Sequence, residues 1–383
     1  MTVTSPQGFR AAGVAAGIKE SGAPDVAVVI NDGPSAAAAG VFTANRVKAA
    51  PVLWSQQVLA GQTVRAVVLN SGGANACTGP AGFADTHRTA EHVAGLLDVG
   101  AGEVAVCSTG LIGERLPMDL LLAGATAAVR QASAQGGLTA ADAIRTTDTV
   151  PKTCVVQGSG YQIGGMAKGA AMLAPALATM LVVLTTDAAL SVGDLDRALR
   201  TAVRGTFDRL DTDGCMSTND TVLLLASGAS GTVADARDFA ALLTEACADL
   251  AAQMQADAEG ASKSITIDVT GAATEDDAVE VGRAVARCNL LKCAIAGEDP
   301  NWGRVLAAVG TTSAVFEPDQ LSVAINGVWV CKAGAPGEHR SAVDLRGRQV
   351  TITVELAAGE HAATIRTTDL TAAYVQLNSA YST

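Results

Sequence analysis

Thr179 is the residue whose setting most suggests chemistry. The chain from Gly169 to Leu184 carries no charge, and Lys168 precedes it. Threonine is favoured in strands, so Thr179 could be an ordinary strand residue. If the bond between Ala178 and Thr179 were cut, the freed α-amine, with a usual pKa of about 7.7–8.0, could act as the base that activates the hydroxyl. Lys168, folded close by, would lower that pKa further by like-charge repulsion.

The sequence does not match other common catalytic motifs. Gly158, Gly160 and Gly164 have a G-x-G-x-x-x-G spacing, which favours a hairpin turn over a dinucleotide site. The sequence contains neither a G-x-x-x-x-G-K-[ST] phosphate loop nor an H-E-x-x-H zinc motif. Its eight cysteines include no C-x-x-C pair and indicate reduced, mostly buried thiols. These patterns imply no metal and no organic cofactor.

Composition narrows the class of protein further. The 383 residues are 49% hydrophobic but only 3% aromatic, so the core must be aliphatic. The net charge of −12 and the absence of a Lys/Arg run argue against a nucleic-acid partner. The start of the chain lacks the pattern of a secretory signal, and the uncharged stretch Gly169–Thr186 favours buried core over a membrane span. A cytoplasmic protein without a membrane segment is therefore expected.

The hydrophobic patterns predict a mixed α/β chain with more than one sheet. The predicted strands are residues 64–70, 153–157, 161–165, 180–184, 221–225, 264–270, 321–325, 328–331, 350–356 and 361–366. The predicted helices are residues 83–97, 118–132, 239–258, one that starts near 192 and one that follows Thr274. Ser191 with Asp194 predicts a helix N-terminus, and Asn326–Gly327 predicts a type I′ hairpin.

Several segments resemble the motifs of one enzyme family. The segment from Lys168 to Leu181 resembles the self-processing motif of the ornithine acetyltransferase family, the bifunctional glutamate N-acetyltransferases of arginine biosynthesis. The other matching segments are residues 41–45 with 50–52, 70–75, 108–113, 146–148 with 151–152, 217–221, 299–304 and 378–383. Because these independent motifs occur in the right order over nearly the whole chain, the resemblance is specific.

The resemblance implies a fold and a maturation step. The implied fold is an α/β sandwich of stacked sheets in an αββα arrangement, similar to the N-terminal-nucleophile hydrolases but with a distinct topology. A smaller C-terminal α/β portion would begin at about residue 310. Family members cleave themselves before the threonine, which here implies an α chain of residues 1–178 and a β chain of residues 179–383. They assemble as α2β2 heterotetramers or larger.

The resemblance also implies a reaction and its residues. Thr179 would take the acetyl group of N2-acetyl-L-ornithine, release L-ornithine and pass the acetyl group to L-glutamate. Thr109, through its hydroxyl, and Gly110, through its backbone N–H, match the oxyanion hole. The implied substrate contacts are Thr146, Lys168, Thr179, Glu259, Asn378 and Thr383. Glu259 suits the cationic ornithine side chain and ranks ahead of Asp257 and Asp299.

Two other functions remain open at this point. One is an aminopeptidase or amidohydrolase on the same scaffold, in which water replaces glutamate as the acceptor. The other is a ligand-binding protein without catalytic activity. The sequence also leaves open whether acetyl-CoA is a second acetyl donor.

Overall fold

The computed structural model describes residues 2–172 and 180–380, and these residues form two compact units. Unit 1 comprises the chain up to Asp208 together with Cys215–Met254. Unit 2 comprises Arg209–Gly214 and the chain from Gln255 onward. Residue 310, where a smaller C-terminal portion was expected to begin, therefore lies inside unit 2.

Unit 1 contains two sheets. Its strands are β1 (Phe9–Val14), β2 (Val26–Asn31), β3 (Ala37–Phe42), β4 (Ala66–Ser71), β5 (Val104–Thr109), β6 (Lys152–Gln157), β7 (Gln162–Lys168), β8 (Leu181–Thr186) and β9 (Thr221–Ala226). The strand order is β1-β2-β4-β5 in sheet I and β3-β9-β8-β7-β6 in sheet II. The strands β2, β4, β5, β8 and β9 are buried along their whole length. Continuous apolar runs are typical of strands that are covered on both faces.

The two sheets of unit 1 share one aliphatic core. Val67 and Val106 of sheet I belong to the same buried cluster as Val183 and Leu223 of sheet II. The helices of unit 1 are α1 (Ala50–Ala60), α2 (Gly79–Leu97), α3 (Met118–Gln131), α4 (Gly137–Ala143), α5 (Val192–Gly205) and α6 (Ala236–Ala256). Helices α3 and α4 pack on β1 and β2, and α5 packs on β3. The expected mixed α/β fold with stacked sheets is confirmed.

Side chains of two helices cover the outer edges of these sheets. The Ser55 hydroxyl of α1 donates to the carbonyl of Val106 at 2.7 Å and accepts from its N–H at 2.9 Å. The Gln253 amide of α6 bonds both backbone groups of Thr153 on β6, at 3.2 and 3.0 Å. These bonds satisfy edge groups that would otherwise be open to another strand.

Unit 2 is built on a mixed sheet with the order β13-β12-β11-β14-β10-β15. Its strands are β10 (Ser264–Ala272), β11 (Ser322–Ile325), β12 (Val328–Lys332), β13 (Ala335–Pro336), β14 (Gln349–Glu355) and β15 (His361–Thr368). Its helices are α7 (Glu275–Ala286), α8 (Asn289–Ala296), α9 (Trp302–Val309) and α10 (Ala372–Ala380). Strand β10 lies between the two late strands β14 and β15. This pairing joins residues 264–272 to the C-terminal strands within unit 2.

Local signals in the sequence correctly predict where several elements begin or turn. Ser191 accepts a hydrogen bond from the Asp194 N–H and caps α5, as predicted. Asn326 and Gly327 both have positive φ, of 48° and 81°, as the predicted type I′ hairpin requires. Helix α6 ends at Ala256, two residues before the predicted end. Among the described helices, none has both the length and the apolar composition needed to cross a membrane.

Candidate active site

Sheets I and II bring polar strand ends together around Lys168. Strand β5 ends at Thr109, and strand β7 ends at Lys168. The Lys168 Nζ donates to the Thr109 Oγ1 at 3.3 Å, and both residues are only 2% exposed. Lys168 also pairs in register with Leu181, the first residue of β8. Lys168, a predicted substrate contact, therefore contacts Thr109, a predicted oxyanion residue. Lys168 also lies next to the start of β8, which begins two residues after position 179.

The turn after Thr109 depends on a glycine. Gly110 has a φ of +130°, and a Cβ built there would lie 2.5 Å from the backbone nitrogen of Gly73. That nitrogen donates to the carbonyl of Thr109 at 3.1 Å, which holds the two backbones together. Only glycine combines this φ with so close an approach. Gly110 is half-buried, so this segment is partly open to solvent.

Asp148 connects Thr146 to the end of β7. Its Oδ2 accepts from the Thr146 N–H at 3.1 Å, and its Oδ1 accepts from the Gly169 N–H at 2.7 Å. The same Oδ1 accepts from the Lys152 Nζ at 2.6 Å, and the side chains of this ion pair are fully buried. One carboxylate thus ties the backbone of Thr146 to that of Gly169, the residue that follows Lys168.

The electrostatics of this cluster favour a charged carboxylate. Burial acts to raise the pKa of Asp148, but Lys168, Lys152 and the Gly169 N–H outweigh it and lower the pKa to about 2. Burial lowers the pKa of the nearby Lys19, and Arg145 and Lys168 act in the same direction. Four cations, Lys19, Arg145, Lys152 and Lys168, therefore lie at this end of unit 1 together with the carboxylates of Asp25, Asp142 and Asp148.

Two further predicted residues meet within unit 2. The Asn378 Nδ2 of α10 donates to the Glu259 Oε2 at 2.9 Å. The next residue, Gly260, has a φ of +63°, and a Cβ there would lie 2.3 Å from the Tyr374 nitrogen. The Thr371 hydroxyl donates to the Gly260 carbonyl at 2.6 Å. The start of α10 thus packs closely against the loop that carries Glu259.

Three of the predicted residues cannot be placed. Ala178, Thr179 and Thr383 lie outside the described residues. The predicted cleavage site and nucleophile, and the substrate contact at position 383, therefore remain predictions.

Sequence reasoning assigned no role to four buried polar residues near this site. Asp148, Lys152, Asn219 and Asp220 belong to segments that carry the family resemblance, but nothing local shows that they are buried. One signal in the sequence could have indicated these buried residues: charged and amide side chains in short segments that directly precede or follow apolar strands. Within residues 2–172 and 180–380, no group of three or more His, Cys, Asp or Glu residues is arranged to hold a metal ion.

Comparison with known proteins identifies the family. The ArgJ family model matches residues 10–383. The arginine biosynthesis bifunctional protein ArgJ of Thermobifida fusca (strain YX) is 68% identical over 383 residues, which is 100% of both chains. The chain belongs to the ArgJ family.

Other members of the ArgJ family are similarly close. The arginine biosynthesis bifunctional protein ArgJ of Streptomyces avermitilis is 69% identical over 382 residues, again 100% of both chains. The crystal structure of ornithine acetyltransferase complexed with ornithine from Mycobacterium tuberculosis is 62% identical, with a TM-score of 0.45. That match covers 47% of this chain and 96% of the other. ArgJ membership confirms the predicted resemblance and the expectation of an acyltransferase of arginine biosynthesis.

Proposed function

We propose that the protein transfers the acetyl group of N2-acetyl-L-ornithine to L-glutamate through an ester on Thr179. The observation that carries this proposal is the contact between Lys168 and Thr109 beside the first residue of β8, in a chain of the ArgJ family. The M. tuberculosis relative, whose structure holds ornithine, supports ornithine as the leaving group.

Self-cleavage would create the nucleophile. The Thr179 hydroxyl oxygen attacks the carbonyl carbon of Ala178, the C–N bond between the two residues breaks, and the hydroxyl proton ends on the released nitrogen. Water then hydrolyses the resulting ester, which leaves a carboxylate on Ala178 and restores the hydroxyl. The new α-amine of Thr179 can be neutral near pH 8 and can take the hydroxyl proton in each later cycle.

Acetyl transfer then exchanges one amide for another. The hydroxyl oxygen attacks the acetyl carbonyl of acetylornithine, and the Thr109 hydroxyl and Gly110 N–H stabilise the oxyanion that forms. Each such donor is commonly worth about 2.7–4 kcal/mol in the transition state. Ornithine leaves with the proton on its amine. The glutamate amine then attacks the acetyl ester, the bond between the acetyl carbon and the Thr179 oxygen breaks, and a proton of the glutamate amine passes through the Thr179 α-amine to restore the hydroxyl. Because the free energies of the two amides are similar, no external energy source is needed.

The remaining assignments concern recognition and assembly. Thr146 and Lys168 would bind the common α-amino-acid part of both substrates. Glu259, with Asn378 and Thr383, would bind the ornithine side chain, whose ammonium the Glu259 carboxylate complements. We assign acetyl-CoA as a second acetyl donor, in keeping with the bifunctional relatives. The cleaved chains would assemble as α2β2 in the cytoplasm.

A denaturing gel tests the cleavage step. The purified protein should give two bands, of the sizes expected for residues 1–178 and 179–383, and Thr179→Ala should give one. Thr153→Ala is the matched control, because Thr153 bonds Gln253 through its backbone groups and its variant should still give two bands. A wild-type protein that stays intact and transfers acetyl groups would refute the proposed mechanism.

An acetyl-transfer assay tests the reaction itself. With acetylornithine alone, the chain of residues 179–383 should gain one acetyl group by intact mass, and added glutamate should remove it as N-acetylglutamate. Ornithine release at the same rate without glutamate would instead indicate the aminopeptidase or amidohydrolase alternative. N-acetylglutamate formed from acetyl-CoA and glutamate, without acetylornithine, would establish the second donor.

A further inference from the structure

The segment Ser217–Thr221 carries part of the family resemblance but has no role in the mechanism above. It leads directly into β9, and its residues Asn219 and Asp220 are 4% and 0% exposed. Burying an amide and a carboxyl costs free energy unless they are hydrogen-bonded. Their partners therefore indicate what this segment does.

Asn219 binds the strand that carries the oxyanion residues. Its Nδ2 donates to the carbonyl of Ser108 at 2.8 Å and to the carbonyl of Ala74 at 2.7 Å. Its Oδ1 accepts from the Thr218 hydroxyl at 2.6 Å, which fixes the orientation of the amide. The Ser108 carbonyl belongs to the same planar peptide unit as the Thr109 N–H. Asn219 therefore holds the backbone that enters the Thr109–Gly110 turn.

Asp220 binds Met180, the residue that precedes β8. Its Oδ1 accepts from the Met180 N–H at 3.0 Å, and the N–H of the next residue, Thr221, donates to the Met180 carbonyl at 3.1 Å. Both backbone polar groups of Met180 are therefore held by adjacent residues of one segment. Met180 directly follows residue 179 in the chain.

We propose that Asn219 and Asp220 are positioning residues that together set the separation between the Thr109–Gly110 pair and Met180. Consecutive Cα atoms are about 3.8 Å apart across a trans peptide, so these two adjacent side chains form a short, stiff link between sheets I and II. The proposal rests on the proposed function, in which Thr109 and Gly110 stabilise the oxyanion and Met180 directly follows the nucleophile in the chain.

Within this link, Asp220 acts as the acceptor of a hydrogen bond from the Met180 N–H. Burial raises the pKa of Asp220 well above its usual value of 3.8, although the Met180 N–H and the charge of Lys168 oppose this. The nearby Thr43 hydroxyl donates to the carbonyl of Ser217 at 2.7 Å. The Ser217 and Thr43 hydroxyls also act on the Asp220 carboxyl and oppose the rise in its pKa. The isosteric amide of an Asp220→Asn variant keeps an acceptor for the Met180 N–H.

Four variants test the link. Asn219→Ala removes both donors, and Asp220→Ala removes the acceptor. Asp220→Asn keeps a neutral acceptor and should rescue the effect of Asp220→Ala. Asn31→Ala is the matched control, because the Asn31 amide donates to the carbonyls of Ser35 at 3.0 Å and Ala226 at 3.4 Å. Asn31 is also buried, but it lies at the opposite end of sheet I, since the register pairs Val26 with Asn70.

The readouts are the self-cleavage rate, the thermal midpoint, and the kcat and KM of acetyl transfer by the cleaved protein. Asn219→Ala and Asp220→Ala should each lower kcat about 100-fold, the loss that a 1 Å misplacement of reacting groups can cause, with KM unchanged. Asp220→Asn should retain the kcat of the wild type. Asn31→Ala should lower the thermal midpoint as Asn219→Ala does but keep kcat.

Several results would overturn this inference. It fails if Asn219→Ala keeps the wild-type kcat, or if Asn31→Ala loses as much kcat. If Asn219→Ala does not fold, Asp220→Ala and Asp220→Asn carry the test, and equal kcat in these two variants refutes the link. A wild-type protein that neither cleaves itself nor transfers acetyl groups refutes the proposed function as well. An active wild type with unaffected variants refutes the link alone.

Discussion

Replacement of Asp148 by asparagine should destabilise unit 1 strongly. The carboxylate accepts from the Lys152 ammonium at 2.6 Å, and both side chains are fully buried. Asp148→Asn keeps an acceptor oxygen but removes the negative charge that balances Lys152 and faces Lys168. Loss of one partner from a buried ion pair typically costs about 3–5 kcal/mol, because it leaves a buried charge uncompensated.

The lowered pKa of Asp148 gives a second figure for this loss. The folded-state pKa is about 2 and the usual value is 3.8, and each unit of pKa corresponds to about 1.4 kcal/mol. The charged form therefore contributes about 2 kcal/mol to stability. Because the folded pKa is lowered, this contribution is complete above the usual value and is lost as the pH falls toward about 2. Asparagine resembles the protonated acid, so the variant should lose a similar amount near pH 7.

Urea unfolding followed by tryptophan fluorescence measures the effect on unit 1. The sequence has three tryptophans, and Trp54 lies in unit 1 whereas Trp302 and Trp329 lie in unit 2. In a background with Trp302→Phe and Trp329→Phe, the Trp54 signal reports unit 1. Asp148→Asn should lower its free energy of unfolding by about 2–5 kcal/mol at pH 7. The difference should shrink as the pH falls below the usual aspartate pKa.

Asp32→Asn serves as the control for this measurement. Asp32 pairs with Arg10 at 2.6 Å, but both side chains are well exposed. Loss of an exposed pair should change the free energy of unfolding by less than about 1 kcal/mol. If Asp148→Asn is as mild as this control, or if its effect does not depend on pH, the role given to the buried pair is wrong.

Two further predictions concern backbone strain and thiol chemistry. Gly110→Ala forces an alanine to φ +130° with its Cβ 2.5 Å from the Gly73 nitrogen, so it should cost at least about 1–3 kcal/mol in urea unfolding; an unchanged midpoint would contradict the tight turn. A chromogenic disulfide reagent at pH 8 should modify the exposed thiols within minutes and the buried ones only on unfolding, because burial raises the pKa of Cys107 and Cys154 to about 12. The exposed thiols are Cys77, Cys215 and Cys293, and the buried ones are Cys107, Cys154, Cys247 and Cys331. Cys288 is half-buried, so rapid loss of more than four thiols would refute this assignment.

Periodicity predicted the elements with strong local signals and missed those without them. The sequence predicts β8 and β9 from continuous apolar runs, and α5 from its Ser191 cap. It gives no clear signal for β3, whose residues Ala37–Phe42 are mostly alanine and glycine. Strand β3 forms because it pairs with β9 along its whole length. A poor strand former can therefore hold its place where tertiary pairing supplies the hydrogen bonds.

By itself, the sequence determined the family, the order of its motifs, the mixed α/β class and the candidate roles of Thr109, Gly110 and Lys168. Only the tertiary structure decided which polar residues share a site. Lys168 and Thr109 are 59 positions apart, and Asn219 and Ser108 are 111 apart, yet each pair is hydrogen-bonded. Local patterns report the period of a helix or strand. Strand register and burial depend on residues that are distant in the sequence, so the buried polar network can be identified only from the tertiary structure.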